Sequence, residues 1–370
     1  MEKYEHGGDI YGNPGVKLDF SVSVNPLGMP VEVRKALIAH VDEYARYPDP
    51  HCRGLRAAIA AHEDVAEDRI LCGNGAADLI YRLCYAIQPR KALVCAPTFS
   101  EYERALEQVG CETAHYALAP DHGFAFAADM ADRLSPGVDV LFLCHPNNPT
   151  GRLVPEDVLE FVLCRAGQNH TRVVVDECFL DFTSGVSSKK YLNKIPGLVV
   201  LKAFTKTYAM AGLRLGYMLT ADGELLGRAN GAAQCWSVSA PAQIAGAAAL
   251  ACDGWLDRTR RLVAEERVFM TEGLGRLGIS VFPGDANFIL FRCEQPLYAP
   301  LLRQGILIRP CENFVGLDGS YYRIGLKTRP QNRSLLQALD EILHGEISHG
   351  EIPHGEISHG GIPHGEALHG

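Results

Sequence analysis

The sequence has little of what marks a membrane, secreted or nucleic-acid-binding protein. No apolar run approaches the ~18 residues that suggest a membrane-spanning helix, and the charged, glycine-rich N-terminus MEKYEHGGDIYGNPG lacks the apolar stretch of a signal peptide. The formal net charge of -9 and the pI near 5.9 leave no basic surplus for nucleic acid. We therefore expect a cytoplasmic protein that binds neither membranes nor nucleic acids.

The sequence also lacks cysteine motifs, although it contains 12 cysteines. None forms a C-x-x-C pair or a metal-ligand spacing, so no metal site is expected in the core. Cys72, Cys95, Cys144 and Cys293 lie in or beside apolar runs, where cysteine acts as a small core residue. Without a secretion signal, a reducing compartment and free thiols are expected.

The middle of the chain alternates between short apolar runs and helical patterns. The runs that predict strands buried on both faces are residues 91–97, 138–146, 171–177, 197–204 and 213–219. ADLIYRLCYAI and SEYERALEQVG carry helical spacing, and the second ends at Gly110 as a C-cap. This alternation predicts an α/β fold with a mostly parallel mixed sheet flanked by helices.

The C-terminal part predicts a second unit. From about Ala247 a long helical pattern leads into the strand-like stretches ISVFPG, NFILFRC and ILIRPC, which together indicate a smaller α+β domain. The predicted division is an N-terminal arm (1–45) joining the small domain, a large cofactor-binding domain (46–245), the small domain (246–343) and a tail (344–370).

The tail repeats H-G-E-I-[S/P] with a period of five. Regular glycine and proline predict disorder there. The repeated histidines are His344, His349, His354, His359, His364 and His369. Their spacing makes weak binding of a divalent metal chemically reasonable, and a tandem repeat without a role is the alternative.

Five features in the large domain are compatible with one ligand site. They are the glycine turn before a helix in 71–80, the asparagine pair in 144–151, Asp176 after a valine run, Lys206, and Arg214. Apart from Arg214 they follow strand ends or lie in the loops just after them, where open α/β sheets bind ligands. Pyridoxal 5'-phosphate requires such parts: a lysine amine, an acid for the pyridine nitrogen and anion contacts for the phosphate.

The sequence also resembles fold-type I pyridoxal-phosphate enzymes of the histidinol-phosphate aminotransferase group over residues 1 to about 343. Within that group its motifs are most similar to those of the threonine-phosphate decarboxylases. The matching motifs are HGGDI, DFSVSVNPLGMP, RYPD, PNNPTG, DECFLDF, TKTYAMAGLRLGY, ILIRPCENFVGLD and YYRIGLK.

The resemblance implies a role for each matching cofactor residue. Lys206 would be the Schiff-base lysine and Asp176 the pyridine partner, while Asn148 would bond the phenolic oxygen and Phe99 would stack on the ring. The residues that would hold the cofactor phosphate are Gly75, Ala76, Ala77, Thr205 and Arg214. Tyr47 would reach the phosphate of a neighbouring subunit, so the resemblance implies a homodimer with shared active sites.

It also implies a small phosphorylated amino acid as the substrate. Arg323 is the expected clamp for the carboxylate. His6, Asn25 and Arg309 are the candidates for the substrate phosphate, and Asn148 would border the substrate as well as the cofactor.

Two residues depart from the aminotransferase pattern. Ala203 stands where a serine or threonine usually contacts the cofactor phosphate, a loss of roughly 1 kcal/mol that should loosen binding. Phe179 stands where aminotransferases mostly carry a tyrosine, and phenylalanine there resembles the decarboxylases.

Three functions remain open on the sequence. The first is decarboxylation of L-threonine O-3-phosphate for cobalamin assembly, with L-serine O-phosphate as a second substrate. The second is histidinol-phosphate transamination, which differs in the bond at the α-carbon that lies perpendicular to the cofactor ring. The third is a metal-binding or interaction protein that acts through the tail.

Overall fold

A computed structural model describes residues 6–345, and these residues form a seven-stranded sheet, a four-stranded sheet and a two-stranded sheet with flanking helices. The strands are β1 (Leu18–Asp19), β2 (Ile70–Gly73), β3 (Lys91–Ala96), β4 (Glu112–Ala117), β5 (Val140–Cys144), β6 (Arg172–Asp176), β7 (Leu198–Ala203), β8 (Gly216–Thr220), β9 (Ser280–Val281), β10 (Phe288–Arg292), β11 (Ile306–Leu307), β12 (Arg309–Pro310) and β13 (Tyr321–Gly325). The helices are α1 (Val31–Ala39), α2 (Arg53–Glu63), α3 (Ala76–Ile87), α4 (Glu101–Glu107), α5 (Glu156–Gln168), α6 (Phe204–Thr207), α7 (Gly223–Gly231), α8 (Ala240–Leu250), α9 (Trp255–Arg276), α10 (Tyr298–Arg303) and α11 (Arg329–His344).

The large sheet has seven strands in the order β2-β8-β7-β6-β5-β3-β4. Strand β8 is antiparallel to both of its neighbours, and the adjacent strands from β7 to β4 are parallel to one another. The predicted mostly parallel mixed sheet is confirmed. The carboxyl ends of β3, β5, β6 and β7 therefore meet at one edge of the sheet, where their following loops converge.

The central strands are buried because helices cover both faces. All residues of β5 and β7 are buried, which explains their continuous apolar runs. Helices α2, α5 and α8 contribute to a core cluster on one face, and helices α3, α4 and α7 contribute to a separate cluster on the other. The large unit is thus a three-layer α/β structure.

The C-terminal part contains a four-stranded antiparallel sheet in the order β12-β13-β10-β9. Residues of α9, α10 and α11 pack with this sheet in a third apolar cluster. The N-terminal segment contacts both units, because β1 pairs in parallel with β11 while α1 packs against α8. The boundaries at residues 45 and 245 stay predictions.

Several details differ from the sequence-based expectations. The helical pattern expected from Ala247 is interrupted: α8 begins at Ala240, and Gly254 in the left-handed region (φ +64°) precedes α9. The sequence did not predict strand β4, because five of its six residues are exposed or only partly buried and its pattern is mixed. Cys72, Cys95 and Cys144 are buried as expected, but Cys293 is only partly buried.

The tail begins later than its predicted boundary. His344 is the last residue of α11, and its ring is hydrogen-bonded to Asp340 Oδ1 at 2.9 Å. The prediction that His344 is disordered is therefore wrong. The other repeat histidines lie outside the described residues. Across residues 6–345, no helix is both long and apolar enough to span a membrane.

A buried ionic cluster ties α2 to the large sheet. The Glu63 carboxylate accepts hydrogen bonds from Lys202 Nζ (2.9 Å), Lys189 Nζ (2.9 Å) and the Tyr217 hydroxyl. Glu63 is only 2% exposed, and the charge of Lys202 is the main cause that lowers the Glu63 pKa to about 2 against the cost of burial. Removing one member would leave the other charged groups without their partners in a buried environment. This cluster should therefore contribute strongly to stability.

Glu63→Gln should lower the free energy of unfolding by about 3–5 kcal/mol at pH 7, because it leaves buried Lys202 without its closest carboxylate. Since the folded pKa of Glu63 is depressed to about 2, its contribution is fully present above about pH 4.5 and is lost as the pH falls through 2. Urea denaturation from pH 7 to pH 3 should show the difference between variant and wild type shrinking at the acidic end.

Glu112→Gln is the matched control, since Glu112 makes an exposed ion pair with Lys91 at 4.0 Å. It should change stability by less than about 1 kcal/mol. Equal effects of the two substitutions would contradict the assigned role of the cluster.

Candidate active site

A cavity of about 570 Å³ opens where the carboxyl ends of the large-sheet strands face the C-terminal unit. It brings together most of the predicted site residues from separate parts of the chain. The predicted residues that line it are His6, Ala76, Ala77, Phe99, Asn148, Asp176, Thr205, Lys206, Arg214, Arg309 and Arg323. Ala203 and Phe179, the two departures from the aminotransferase pattern, line it as well.

Lys206 lies in the short helix α6, directly after β7, and its amine enters the cavity. Burial is the main cause that lowers its pKa to about 8, and the charges of Arg323 and Arg214 lower it further. Nζ lies 5.9 Å from the centre of the Phe179 ring. A lysine with a pKa near 8 has a substantial neutral fraction at physiological pH, as a nucleophilic amine requires.

Asp176 ends β6 and is almost completely buried at 4% exposure. One carboxylate oxygen, Oδ1, accepts the backbone N–H of Cys178 at 3.0 Å, and the other, Oδ2, accepts the hydroxyl of Tyr102 at 2.7 Å. Both donors are neutral. A buried carboxylate with only neutral donors is suited to a cationic N–H group of a ligand.

The N-terminus of α3 has the features of an anion site. The helix begins at Ala76 after Gly75, so its first N–H groups and its dipole face the cavity. Gly75 has φ +86°, and a Cβ there would lie 2.7 Å from Arg214 Nη2. Arg214, also in the left-handed region, brings its guanidinium to this helix end. Gly75 does not itself line the cavity but makes room for the arginine.

Two arginines from the C-terminal unit form another part of the cavity wall. Arg309 on β12 and Arg323 on β13 are register partners. Arg323 donates from Nη1 to Asn148 Oδ1 and from Nη2 to the Ser21 carbonyl at 2.9 Å, while its buried Nε has no partner among the described residues. Arg309 donates to Asn313 Oδ1 at 2.9 Å. This wall can receive a second anionic group.

The N-terminal segment reaches the same cavity. His6 Nε2 lies 2.9 Å from Glu101 Oε1, and this hydrogen bond is the main cause that lowers the Glu101 pKa. The His6 ring lies 6.0 Å from that of Phe99, which meets Tyr102 edge-on at 5.6 Å. His6 therefore lies in the cavity beside a carboxylate, and its predicted contact with the substrate phosphate stays a prediction.

Asn25 does not line the cavity. Its backbone N–H donates to the Lys206 carbonyl at 3.0 Å, and its side-chain amide donates to the Thr207 carbonyl at 2.7 Å and to Thr259 Oγ1 at 2.8 Å. Trp255 Nε1 donates to the same Thr207 carbonyl at 3.0 Å. The structure thus uses Asn25 to hold the turn that carries Lys206, whereas the sequence predicted contact with the substrate phosphate.

Tyr47 also lies outside the cavity. Its side chain is 79% exposed and stacks on the ring of Trp236 at 4.5 Å between centroids. Its predicted contact with a second subunit stays a prediction.

Tyr102 and Ser23 are among the cavity residues that the sequence did not predict. Tyr102 follows Phe99 by three residues, a spacing that places both on one side of the helix start. Ser23 lines the cavity and is 1% exposed, and its Oγ has no partner among the described residues. Its spacing of two from Ser21, which also lines the cavity, is the period of an extended segment.

The donor set fits pyridoxal phosphate part by part. Lys206 supplies the amine, buried Asp176 the acceptor for a ring N–H, and the α3 N-terminus with Arg214 the phosphate contacts. Phe99 and Ala203 border the space between them. A fold of this kind with this site defines a fold-type I pyridoxal-phosphate enzyme.

The chain belongs to the aminotransferase class I and II family, whose model matches residues 16–339. Pyridoxal phosphate is accordingly its cofactor, as predicted. It is 39% identical to the threonine-phosphate decarboxylase of Salmonella typhimurium over 352 residues, which cover 92% of this chain and 97% of that protein.

Solved structures show the same likeness. The histidinol-phosphate aminotransferase of Clostridium acetobutylicum superposes with a TM-score of 0.83 at 28% identity, covering 88% of this chain and 99% of that one. The L-threonine-O-3-phosphate decarboxylase of Porphyromonas gingivalis gives a TM-score of 0.79 at 28% identity, with the same coverage. The predicted membership of this enzyme group is confirmed.

The depressed pKa of Lys206 predicts a pH dependence of cofactor capture. Apoprotein mixed with pyridoxal phosphate and trapped with borohydride should give a Lys206 adduct whose rate of formation rises with a midpoint near pH 8. Arg323→Gln should move the midpoint upward, because it removes a nearby cation that favours the neutral amine. Arg292→Gln, at an exposed arginine paired with Glu294, is the control. A wild-type midpoint near that of free lysine, about 10.4, would contradict the assignment.

Gly75→Ala should weaken pyridoxal-phosphate binding by at least about tenfold, because its Cβ would displace Arg214 from the phosphate site. Gly110→Ala is the matched control: it carries a similar positive φ of +70°, but a Cβ there meets nothing within 4 Å. Both variants should lose about 1 kcal/mol of stability through backbone strain. Equal cofactor affinity in the two, measured by absorbance titration, would show that the contact with Arg214 is unimportant.

Proposed function

We propose that this enzyme decarboxylates L-threonine O-3-phosphate to (R)-1-aminopropan-2-yl phosphate and carbon dioxide, a product used in cobalamin assembly. The observation that carries the proposal is the 39% identity to a threonine-phosphate decarboxylase over nearly the whole of both chains. The resemblance of Phe179 to the decarboxylases supports it, since this side chain lines the cavity beside Lys206.

The charges of the cavity fit such a substrate. L-Threonine phosphate carries a carboxylate and a phosphate on a short carbon chain. Arg323 and Arg309 are register partners on paired strands and both line the cavity that also contains the α3 N-terminus. In the proposed pose Arg323 holds the carboxylate and Arg309 holds the phosphate, because planar guanidinium groups pair bidentately with both anions.

The residues of the chain prepare the reaction. When bound, the cofactor supplies an electron sink for the negative charge that develops at the α-carbon. Asp176 holds a proton at the pyridine nitrogen through its buried carboxylate. Lys206, with a pKa of about 8, can both hold and release a proton at Nζ near neutral pH. Arg323, fixed by Asn148 and the Ser21 carbonyl, determines the orientation of the carboxylate.

Histidinol-phosphate transamination is the alternative within the same family. The likeness to the histidinol-phosphate aminotransferase of Clostridium acetobutylicum, at a TM-score of 0.83, supports it. Both substrates are phosphorylated amines, so the phosphate contacts would serve either. They differ at the α-carbon substituent, where threonine phosphate alone offers a carboxylate to Arg323.

The proposal includes a homodimer with shared active sites. Tyr47 is largely exposed and stacked on Trp236, so its hydroxyl is available to a second subunit. In that dimer Tyr47 would contact the cofactor phosphate of the neighbouring subunit.

The decisive experiment incubates the purified holoenzyme with L-threonine phosphate and measures carbon dioxide and product mass. Stoichiometric carbon dioxide without added keto acid is expected, and Lys206→Ala should abolish it. L-Serine phosphate should react about 10- to 200-fold less efficiently if an apolar wall receives the threonine methyl group. Glutamate formation from 2-oxoglutarate with histidinol phosphate, and no carbon dioxide, would overturn the proposal in favour of transamination.

A further inference from the structure

Tyr102 has no role in the reaction proposed above, although it lies in the active-site cavity. It lies at the start of α4, is fully buried and lines the cavity beside Asp176. Its ring stacks on Phe142 at 5.2 Å with an interplanar angle of 17°, and meets Phe99 edge-on at 5.6 Å. Packing on two rings fixes the direction of the hydroxyl, since a tyrosine ring has only two rotatable bonds.

The hydroxyl donates to Asp176 Oδ2 at 2.7 Å. The Cys178 backbone N–H donates to Oδ1 at 3.0 Å, and the neutral Cys178 thiol also interacts with this carboxylate. Each oxygen therefore keeps acceptor capacity for a ligand, while the plane of the carboxylate is held at both oxygens. Removing one donor would free the carboxylate to rotate and leave one buried oxygen unsatisfied.

We propose that Tyr102 is a positioning residue that aims Asp176 at the pyridine nitrogen of the cofactor. Through Phe142 of β5 and Phe99, the same side chain also couples the carboxylate to the residue predicted to stack on the ring. The role depends on the cofactor site and holds for either decarboxylation or transamination. Failure of the proposed substrate would therefore leave it standing.

The test compares Tyr102→Phe with wild type by absorbance titration of pyridoxal phosphate and by the pH dependence of the bound cofactor's visible absorption. Loss of one hydrogen bond to a charged group should weaken binding by about 10- to 100-fold. The pH midpoint of the absorption change should move upward. Without the Tyr102 hydrogen bond the pyridine nitrogen should keep its proton less well. Its positive charge then lowers the pKa at Lys206 Nζ less. A merely structural role would not move this midpoint.

Tyr116→Phe is the matched control. Its hydroxyl also donates to an aspartate, Asp129, but Tyr116 lies on β4 and neither residue lines the cavity. It should leave cofactor affinity and the pH midpoint unchanged, whatever its effect on thermal stability.

A double-mutant cycle with Asp176→Asn separates positioning from general damage to the fold. In the Asp176→Asn background, Tyr102→Phe should change cofactor affinity by less than about threefold, because the carboxylate that it positions is absent. Additive effects in the cycle, or wild-type affinity and midpoint in Tyr102→Phe alone, would overturn the inference. If Tyr102→Phe proves poorly folded, Asp176→Asn with Tyr102 intact should still reproduce the upward shift of the midpoint.

Discussion

The site depends on one constraint: the Asp176 carboxylate is buried without a cationic partner among the described residues. Its donors, Tyr102 and Cys178, are neutral, so the negative charge is stabilised fully only when a cationic ligand group arrives. The surrounding cations, Lys206, Arg214 and Arg323, face the same cavity from other elements. Burial and the charges of Arg323 and Arg214 also lower the pKa of Lys206. The same enclosed cavity therefore suits Asp176 to a cationic ligand group and Lys206 to a nucleophilic role.

Charged residues at the carboxyl ends of β6 and β7 have two different kinds of surroundings. Asp176 faces the cavity, whereas the next residue, Glu177, is buried against the hydroxyl of Ser187 and the N–H of Ser188. Along β7, Lys202 joins the Glu63 cluster, four residues before the lysine of the active site. Strand alternation directs Asp176 and Glu177 to different surroundings, and the turn into α6 separates Lys206 from Lys202, so one set of charges contributes stability and the other lines the cavity.

Much of the fold could be read from local pattern. Continuous apolar runs identified β3, β5, β6, β7 and β8, because strands covered by helices on both faces have no polar side. The same rule failed for β4, which is partly exposed, and for the helical stretch after Ala240, where Gly254 in the left-handed region separates two helices. Most of the residues predicted to hold the cofactor line one cavity, since most of them follow a strand end or start a helix, and their individual roles stay predictions.

The sequence by itself determined the strand alternation, the cofactor motifs and the identity of the reactive groups, because these depend on residue types at short spacing. Only the tertiary structure decided that Asn25 holds the Lys206 turn, that His6 meets Glu101, and that Tyr102 meets Asp176 across 74 residues. Such contacts depend on how separate elements pack, and the spacing of residues along the chain does not predict which distant side chains come together. A buried polar group needs a hydrogen-bond partner, but only the folded structure identifies which group that partner is.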